Sequence, residues 1–168
     1  MKIVVVSDSH FNDTVLTQIR ERHLHEAKLF LHCGDSQLMS NHKSLEGYQV
    51  IRGNCDMDIT LPNELVYDID NKYKLFMTHG HLYDVKFSVH RLSYRAEEVG
   101  ANIVCYGHSH FIASELVNNT LFLNPGSVVL PRNTREKTYI VLTLEEEVKV
   151  QFLEVSSGTC ILQKHYSL

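Results

Sequence analysis

Five short apolar runs in this chain end in the same way, and that repetition constrains the fold more than any single motif does. Ile3–Val6 leads into S-D-S-H, presenting Asp8 and His10; Leu29–Leu31 leads into H-C-G-D, presenting Asp35; Val50–Ile51 leads into R-G-N-C-D, presenting Asn54. Leu75–Met77 leads into T-H-G-H, with His79 and His81, and Ile103–Val104 leads through Cys105 and Tyr106 into G-H-S-H, with His108 and His110. A short β-branched run reads as a strand buried on both faces. Beyond the carboxyl ends of such strands is where open α/β sheets bind ligands. A lone D-x-H is more often a turn or a helix cap than a site, so the series carries the signal. Residues two apart on an extended backbone point the same way, so Asp8 and His10 are expected to emerge together.

Between these motifs the chain alternates strand and helix. Asn12 or Asp13 is predicted to cap a helix over 14–26 with Val15, Leu16, Ile19 and Leu24 inward, and His23 and His25 at its end read as surface residues. Lys28–His32 reads as a second strand, Gln37–Glu46 as a short helix, Tyr48–Arg52 as a third strand and Met57–Asn63 as a loop. Glu64–Asp70 and Tyr73–Thr78 form a predicted hairpin, and Phe87–Val99 a helix stopped by Gly100. Ala113–Val117 and Leu121–Asn124 form a second hairpin through Asn118-Asn119, and Asn124-Pro125-Gly126-Ser127 is a turn. Thr138–Leu144, Val148–Val155 and Thr159–Tyr166 read as antiparallel strands. With no linker or repeat, the expectation is one α/β domain over 1–168, two packed sheets with helices outside.

Composition narrows the partners. The 168 residues carry a net charge of −4 with no dense Lys/Arg cluster, which argues against gripping long nucleic acid and leaves small phosphorylated molecules open. No run approaches the ~20 apolar residues of a membrane span, and the N-terminal run is too short for a signal-peptide core. A cytoplasmic protein without a membrane partner is expected. The four cysteines, Cys33, Cys55, Cys105 and Cys160, are widely spaced, which favours free thiols in a reducing compartment.

The motifs together supply Asp8, His10, Asp35, Asn54, His79, His108 and His110, more nitrogen and oxygen donors than one four- to six-coordinate ion needs. Two ions sharing a carboxylate use them naturally, and Asp35 is able to bridge ions ~3.5–4 Å apart. Two divalent ions against two carboxylates and a hydroxide leave a formal excess of about one positive charge, suited to a phosphate ester.

D-x-H, G-D, G-N, an isolated His and G-H-x-H, in that order from residue 1 to about 132, resemble the calcineurin-like metallophosphoesterase superfamily. The small size, G-N-C-D, T-H-G-H and N-P-G-S resemble its YfcE-type phosphodiesterases. The resemblance implies a four-layer α/β/β/α sandwich of two mixed β-sheets flanked by helices. It implies one ion held by Asp8, His10, Asp35 and His110 and a second by Asp35, Asn54, His79 and His108, with manganese first and iron, nickel or zinc as others the family uses. The implied activity is hydrolysis of small phosphodiesters by a hydroxide activated between two metal ions.

One position departs from the family. Where many members carry a His after the G-N Asn to protonate the leaving group, this chain has Cys55, a poorer acid for the purpose. Asp56 or His81 is a candidate substitute; the alternatives are a turn residue for Asp56 and a hydrogen-bond partner of a ligand for His81. Lys86, Arg91 and Arg132 follow site motifs and are candidates for a substrate phosphate, and Tyr83 and Tyr94 for stacking, against ordinary surface or half-buried roles. Cys33 and Cys55 read as small packing groups rather than ligands, and His32, His42, His90 and His165 as satisfied or solvated. Two other functions fit the same fold: a protein-binding scaffold like a eukaryotic retromer subunit, with an incomplete metal site, or a phosphomonoesterase or phosphoprotein phosphatase. The full donor set disfavours the scaffold. The strands after Ser127 leave a homo-oligomer open.

Overall fold

In the computed structural model, which describes residues 1–168, the apolar runs become the parallel centres of two sheets. In the first, β1 (Lys2–Val6), β2 (Leu29–His32) and β3 (Tyr48–Val50) run parallel. Antiparallel β9 (Thr138–Leu144), β10 (Val148–Glu154) and β11 (Cys160–Tyr166) extend it from β1, giving the order β11-β10-β9-β1-β2-β3. The second has the order β4-β5-β6-β8-β7, built from β4 (Glu64–Ile69), β5 (Tyr73–Thr78), β6 (Ile103–Cys105), β7 (Ile112–Val117) and β8 (Thr120–Pro125). Here β5, β6 and β8 are parallel, with β4 and β7 antiparallel at the edges.

The two-residue period of the strands sorts side chains into layers. Ile3, Val5, Leu31, Leu75, Met77, Ile103 and Leu123 face inward and fill the core between the sheets. Val4 and Val6 face the other way and pack under Val15, Leu16 and Ile19 of α1 (Asp13–His23). Phe76, Val104 and Phe122 pack under Leu92 and Ala96 of α2 (His90–Val99). The result is the four-layer α/β/β/α sandwich, each sheet covered on its outer face by one helix. Each fully buried aliphatic or aromatic side chain contributes about 1.5–3 kcal/mol, so the sheets form a stiff platform for the loops at one end.

Local chemistry sets the ends as expected in several places. The Asn12 side chain accepts the Val15 N–H at 3.1 Å and starts α1. Gly100, at φ 68°, stops α2 with its N–H on the Glu97 carbonyl. Asn118 and Asn119 both take positive φ, 48° and 63°, and close the β7–β8 hairpin in two residues.

Four local expectations are corrected. Gln37–Glu46 is not a helix; only a single 3-10 turn forms, over Lys43–Leu45. The reason is competition for donors: the Asp56 carboxylate takes the Gln37 N–H at 2.6 Å and Asp58 takes the Ser40 N–H at 2.7 Å. His23 is not a surface residue but buried, its Nε2 at 2.8 Å from the Tyr139 hydroxyl and its Nδ1 at 2.6 Å from Glu26. Leu24 lies past the end of α1 and is exposed. The second helix begins at His90 rather than Phe87, because the Phe87 N–H closes a turn onto the Asp84 carbonyl and leaves the ring in solvent.

Candidate metal centre

The motif loops meet beyond the carboxyl ends of β1, β2, β5 and β6, but not by the geometry an extended backbone would give. β1 ends at Val6, and Asp8 and His10 both sit at positive φ, 55° and 40°. Asp35, His108 and His110 do the same, at 56°, 66° and 60°. Asp8 and His10 therefore face one site because the chain turns there: the Asp8 N–H binds the Gly34 carbonyl at 3.1 Å and the His10 N–H the Asp35 carbonyl at 3.0 Å, lacing the first loop to the second.

Glycine makes these approaches possible at two points. A Cβ on Gly53 would lie 2.1 Å from Asp35 Oδ1, and one on Gly107 would lie 2.0 Å from Ser7 Oγ and 2.8 Å from Asp8 Oδ2. A side chain at either position would occupy the space of the carboxylates or their supports.

Three overlapping groups of donor atoms result, the atoms of each within 4.8 Å of one another: Asp8, His10 and His110; Asp35, His79 and His108; and His10, Asp35 and Cys55. His10 and Asp35 join the first two groups through the third. Asn54 is exposed at the rim, its amide nitrogen 3.3 Å from Cys55 Sγ. The imidazoles are oriented from behind: His79 Nδ1 donates to the Cys33 carbonyl at 2.7 Å and His110 Nδ1 to the Leu130 carbonyl at 2.8 Å. His10 Nδ1 meets the Gln37 amide oxygen at 2.8 Å. Each Nε2 is thus left to face inward, as in metal-ligating histidines.

The inward atoms are short of partners. Asp8 Oδ2 accepts from Ser7 Oγ at 2.6 Å and the His108 N–H at 3.2 Å, whereas Asp8 Oδ1 is buried with no aligned hydrogen bond, its nearest polar neighbour being His110 Nε2 at 3.1 Å. His79 Nε2 is likewise buried without one, 3.3 Å from Asp35 Oδ2. The Nε2 atoms of His10 and His110 lie 3.4 Å apart. Unpaired buried polar atoms are costly, and divalent cations held by the two groups would satisfy them. Nitrogen and oxygen donors of this kind suit borderline divalent metals.

Electrostatics agree with that fit. Burial alone would raise the Asp8 and Asp35 carboxyls, but the His110 and His79 imidazoles beside them hold both below the usual carboxylate range. Burial pulls His79 and His110 down, and the same carboxylates bring them above an ordinary histidine. Each Asp–His pair therefore holds a proton where a metal would displace it. His108 is pushed down to about 4 by burial, with the His79 and Lys86 charges adding to it.

The other expected site residues divide. Asp56 is buried, and its carboxylate accepts the N–H groups of Asp35 at 2.8 Å, Gly53 at 2.7 Å and Gln37 at 2.6 Å, plus the Ser36 hydroxyl at 3.2 Å. It ties the second and third loops together. His81 stands beside the site, its ring centroid 5.4 Å from that of His79 and 6.1 Å from that of His108, its Nδ1 buried without a partner and its pKa lowered, chiefly by burial. Lys86 and Arg132 are exposed, near enough to lower the pKa of His108 and His110 respectively. Arg91 is paired with Asp84 instead, and the Tyr83 hydroxyl with Glu64. Cys33 is fully buried in the inter-sheet core, as a packing group should be. His32 is satisfied, Nδ1 accepting the Gly34 N–H at 3.2 Å and Nε2 meeting Ser9 Oγ at 2.9 Å.

Two supports escaped the sequence reading. Asn124 is buried, its amide nitrogen on the Gly107 carbonyl at 2.9 Å and Ser109 Oγ at 3.0 Å, and Ser127 Oγ donates to the Asp8 carbonyl at 2.8 Å. The N-P-G-S turn thus braces the first and last motif loops; its side chains, not only its turn propensity, were the available signal.

A sandwich of two mixed sheets that gathers carboxylates and imidazoles at the strand ends defines an α/β protein with a candidate metal centre. The chain belongs to the calcineurin-like phosphoesterase superfamily, whose domain model matches residues 1–147. It is 43% identical over 147 residues to a probable metallophosphoesterase, YsnB, of Bacillus subtilis (strain 168), covering 88% of this chain and 86% of that one. It is 32% identical over 101 residues to the phosphodiesterase YfcE of Escherichia coli (strain K12), covering 55% of this chain and 50% of that one. Among solved structures, a conserved uncharacterized protein of Streptococcus pneumoniae TIGR4, described as a predicted phosphoesterase, superposes with a TM-score of 0.90 at 36% identity, over 99% of this chain and 97% of the other. Vps29 of Chaetomium thermophilum shares the fold, with a TM-score of 0.80 at 16% identity over 99% and 97% of the two chains. No helix here is long and apolar enough to cross a membrane.

Proposed function

We propose that this phosphoesterase-family protein is a phosphodiesterase that hydrolyses small phosphodiesters with two divalent metal ions, manganese first among them. The observation that carries the reading is the pair of buried, unpartnered inward atoms, Asp8 Oδ1 and His79 Nε2, one in each main donor group. Asp8, His10, Asp35 and His110 would hold one ion and Asp35, Asn54, His79 and His108 the other, with Asp35 between them. When bound, such ions neutralise the phosphoryl oxygens and supply an activated water at neutral pH. The chain's own part is to fix those ions: the Cys33, Leu130 and Gln37 oxygens aim the three imidazoles, and the Cys55 N–H, 2.8 Å from Asp35 Oδ1, fixes the bridging carboxylate. Lys86 and Arg132 at the rim attract the anion.

The leaving-group acid falls to His81 rather than Asp56 in this reading. Asp56 has its lone pairs engaged by four donors, whereas His81 stands next to His79 and His108 without such ties, its pKa lowered chiefly by burial so that its acid form gains weight as the pH falls. The Cys55 thiol, pushed up to about 11 chiefly by burial and then by Asp35, is a weak acid for the role. The diesterase preference is supported by the name of the YfcE relative and by the absence of a His at position 55. The scaffold alternative shares the fold with Vps29, but every donor position here carries a metal-capable side chain.

The test is Asp35→Asn. Metal content by mass spectrometry and hydrolysis of bis(p-nitrophenyl) phosphate are expected to be lost together, with the fold retained by circular dichroism. Full turnover by metal-free protein, or two ions retained in the variant, would overturn the reading.

A further inference from the structure

Of the four thiols, Cys55 alone joins a donor group: its Sγ, a His10 ring nitrogen and an Asp35 carboxylate oxygen all lie within 4.8 Å of one another. Cys33 and Cys105 are sealed in the core between the sheets, and Cys160 is exposed on β11. The Cys55 backbone is fixed against the centre. Its N–H donates to Asp35 Oδ1 at 2.8 Å, and the adjoining Asp56 carboxylate accepts the N–H groups of Asp35 and Gly53. The Asn54 amide nitrogen meets Sγ at 3.3 Å, and the residue is only half-buried, so an ion reaches the sulfur from solvent. Beside this trio stands His79 Nε2, fully buried, without a hydrogen-bond partner and 3.3 Å from Asp35 Oδ2. An unpaired nitrogen in that place points to a cation.

Sulfur separates cations that oxygen and nitrogen admit together. Manganese suits carboxylate, carbonyl and water oxygens, whereas thiolate selects zinc and softer ions. Zinc bonds thiolate at about 2.3 Å and imidazole at about 2.0–2.1 Å, so its ligand atoms stand about 3–4 Å apart. Small side-chain rotations bring the trio into that range from within 4.8 Å. The metal–sulfur bond forms as the thiol loses its proton to water and the thiolate takes the coordination position. His10 and Asp35 also belong one to each of the two main donor groups. An ion that draws both of them to Cys55 therefore competes with both ions of the centre.

We infer that Cys55 is a metal-discriminating ligand: thiophilic divalent cations, cadmium and zinc, bind through the Cys55 thiolate with His10 and Asp35 and displace manganese, which itself leaves the thiol protonated. The inference rests on the two-metal reading above and adds to it a means of switching the centre off.

The test uses the full chain, stripped of metal, in a Cys160→Ser background that removes the exposed thiol outside the centre. Titration with cadmium is expected to raise a sulfur-to-metal charge-transfer band in the ultraviolet, and cobalt its counterpart at longer wavelength, while manganese raises neither. Cys55→Ser, and Cys55→Ala as a second variant, should lose both bands and bind cadmium at least about tenfold more weakly, since a ligand matters no less than the groups that orient one. Manganese affinity, measured by calorimetry, should stay the same. Cadmium added to the manganese-loaded parent should abolish hydrolysis of bis(p-nitrophenyl) phosphate, and about tenfold more should be needed in Cys55→Ser. Absence of the bands in the parent, their persistence in both variants, or equal sensitivity to cadmium would overturn the assignment. Manganese-dependent turnover without any sulfur band leaves the diesterase reading standing and removes the role of Cys55, whereas a Cys55-dependent band without turnover upholds the ligand and removes the diesterase.

Discussion

Gly53→Ala isolates the way this chain positions its bridging carboxylate. The methyl group would lie 2.1 Å from Asp35 Oδ1 and 2.4 Å from the Asp35 backbone nitrogen, and the latter has no freedom to rotate away. Something must move, and separating the two loops breaks the 2.8 Å bond from the Cys55 N–H to Asp35 Oδ1, a hydrogen bond to a charged acceptor worth about 1.5–3 kcal/mol. Overpacking adds about 1–3 kcal/mol. The combined cost of about 2.5–6 kcal/mol corresponds to a fall in Tm of about 5–24 °C for a chain of this size.

The effect on metal should be larger than on stability. Displacing a group that merely orients a ligand costs 10–100-fold in affinity by general experience, about that range, and Asp35 is proposed to serve both ions. Titration of Gly53→Ala with manganese, followed by calorimetry, should therefore show a loss of at least about 100-fold at both sites. Gly100→Ala is the control. Its Cβ meets nothing within 4 Å, so it pays only for a left-handed backbone at φ 68°, about 1 kcal/mol, and leaves metal binding alone. Equal Tm and equal manganese affinity in Gly53→Ala and wild type would refute the claim that this glycine makes room for the carboxylate.

Other substitutions separate roles that the motifs leave merged. Asp56→Asn places an amide where four donors converge, so it should cost about 2–4 kcal/mol in urea unfolding and weaken metal binding; a variant with normal stability and metal content but slow turnover only of esters with poor leaving groups would restore Asp56 as the acid. Cys55→His should raise kcat/KM for poor leaving groups more than for activated ones, and equal gains on both would end the idea that position 55 controls proton delivery. His32 is held at about 4 in the fold chiefly by burial, against 6.5 for an unperturbed histidine. Unfolded chains therefore take up a proton that the folded one refuses as the pH falls from about 6.5 towards 4, and stability declines over that window by up to about 3 kcal/mol. Urea unfolding of metal-free wild type and His32→Gln at pH 7 and pH 4.5 checks this, and the same pH dependence in both would sink it.

The strands of this fold were legible because their apolar runs are short, β-branched and followed by turn residues, so period and punctuation agreed. β1, β2, β5 and β6 appeared where those runs lie, and the three C-terminal strands formed as an antiparallel set, although only β10 alternates in burial while β9 is buried throughout and β11 is almost wholly exposed. The helix expected over Gln37–Glu46 failed for a reason no local window contains: its amide donors are claimed by Asp56 and Asp58, which are some 20 residues away, at separations of 19 and 18. His23 failed similarly, because its partner Tyr139 is 116 residues distant. The bracing by Asn124 and Ser127 was hidden by the same distance. Local pattern therefore located the donors, and long-range hydrogen bonds decided which loops could carry them.

The turn and the ligand were weighed as rivals for Asp8, and the backbone shows that they are one property. Asp, His and Asn are the non-glycine residues that best tolerate left-handed backbone, and they are also the oxygen and nitrogen donors of borderline metals. Asp8, His10, Asp35, His108 and His110 use both abilities at once, each at positive φ and each in a donor group. That arrangement still costs the fold about 1 kcal/mol or more at each position, and it leaves Asp8 Oδ1 and His79 Nε2 buried without partners. A bound ion can offset such a deficit, since a ligand at a thousand times its Kd stabilises by about 4 kcal/mol. A scaffold that never binds metal would bear the same strain with nothing to balance it, which is the physical reason to prefer the hydrolase over the scaffold for this chain.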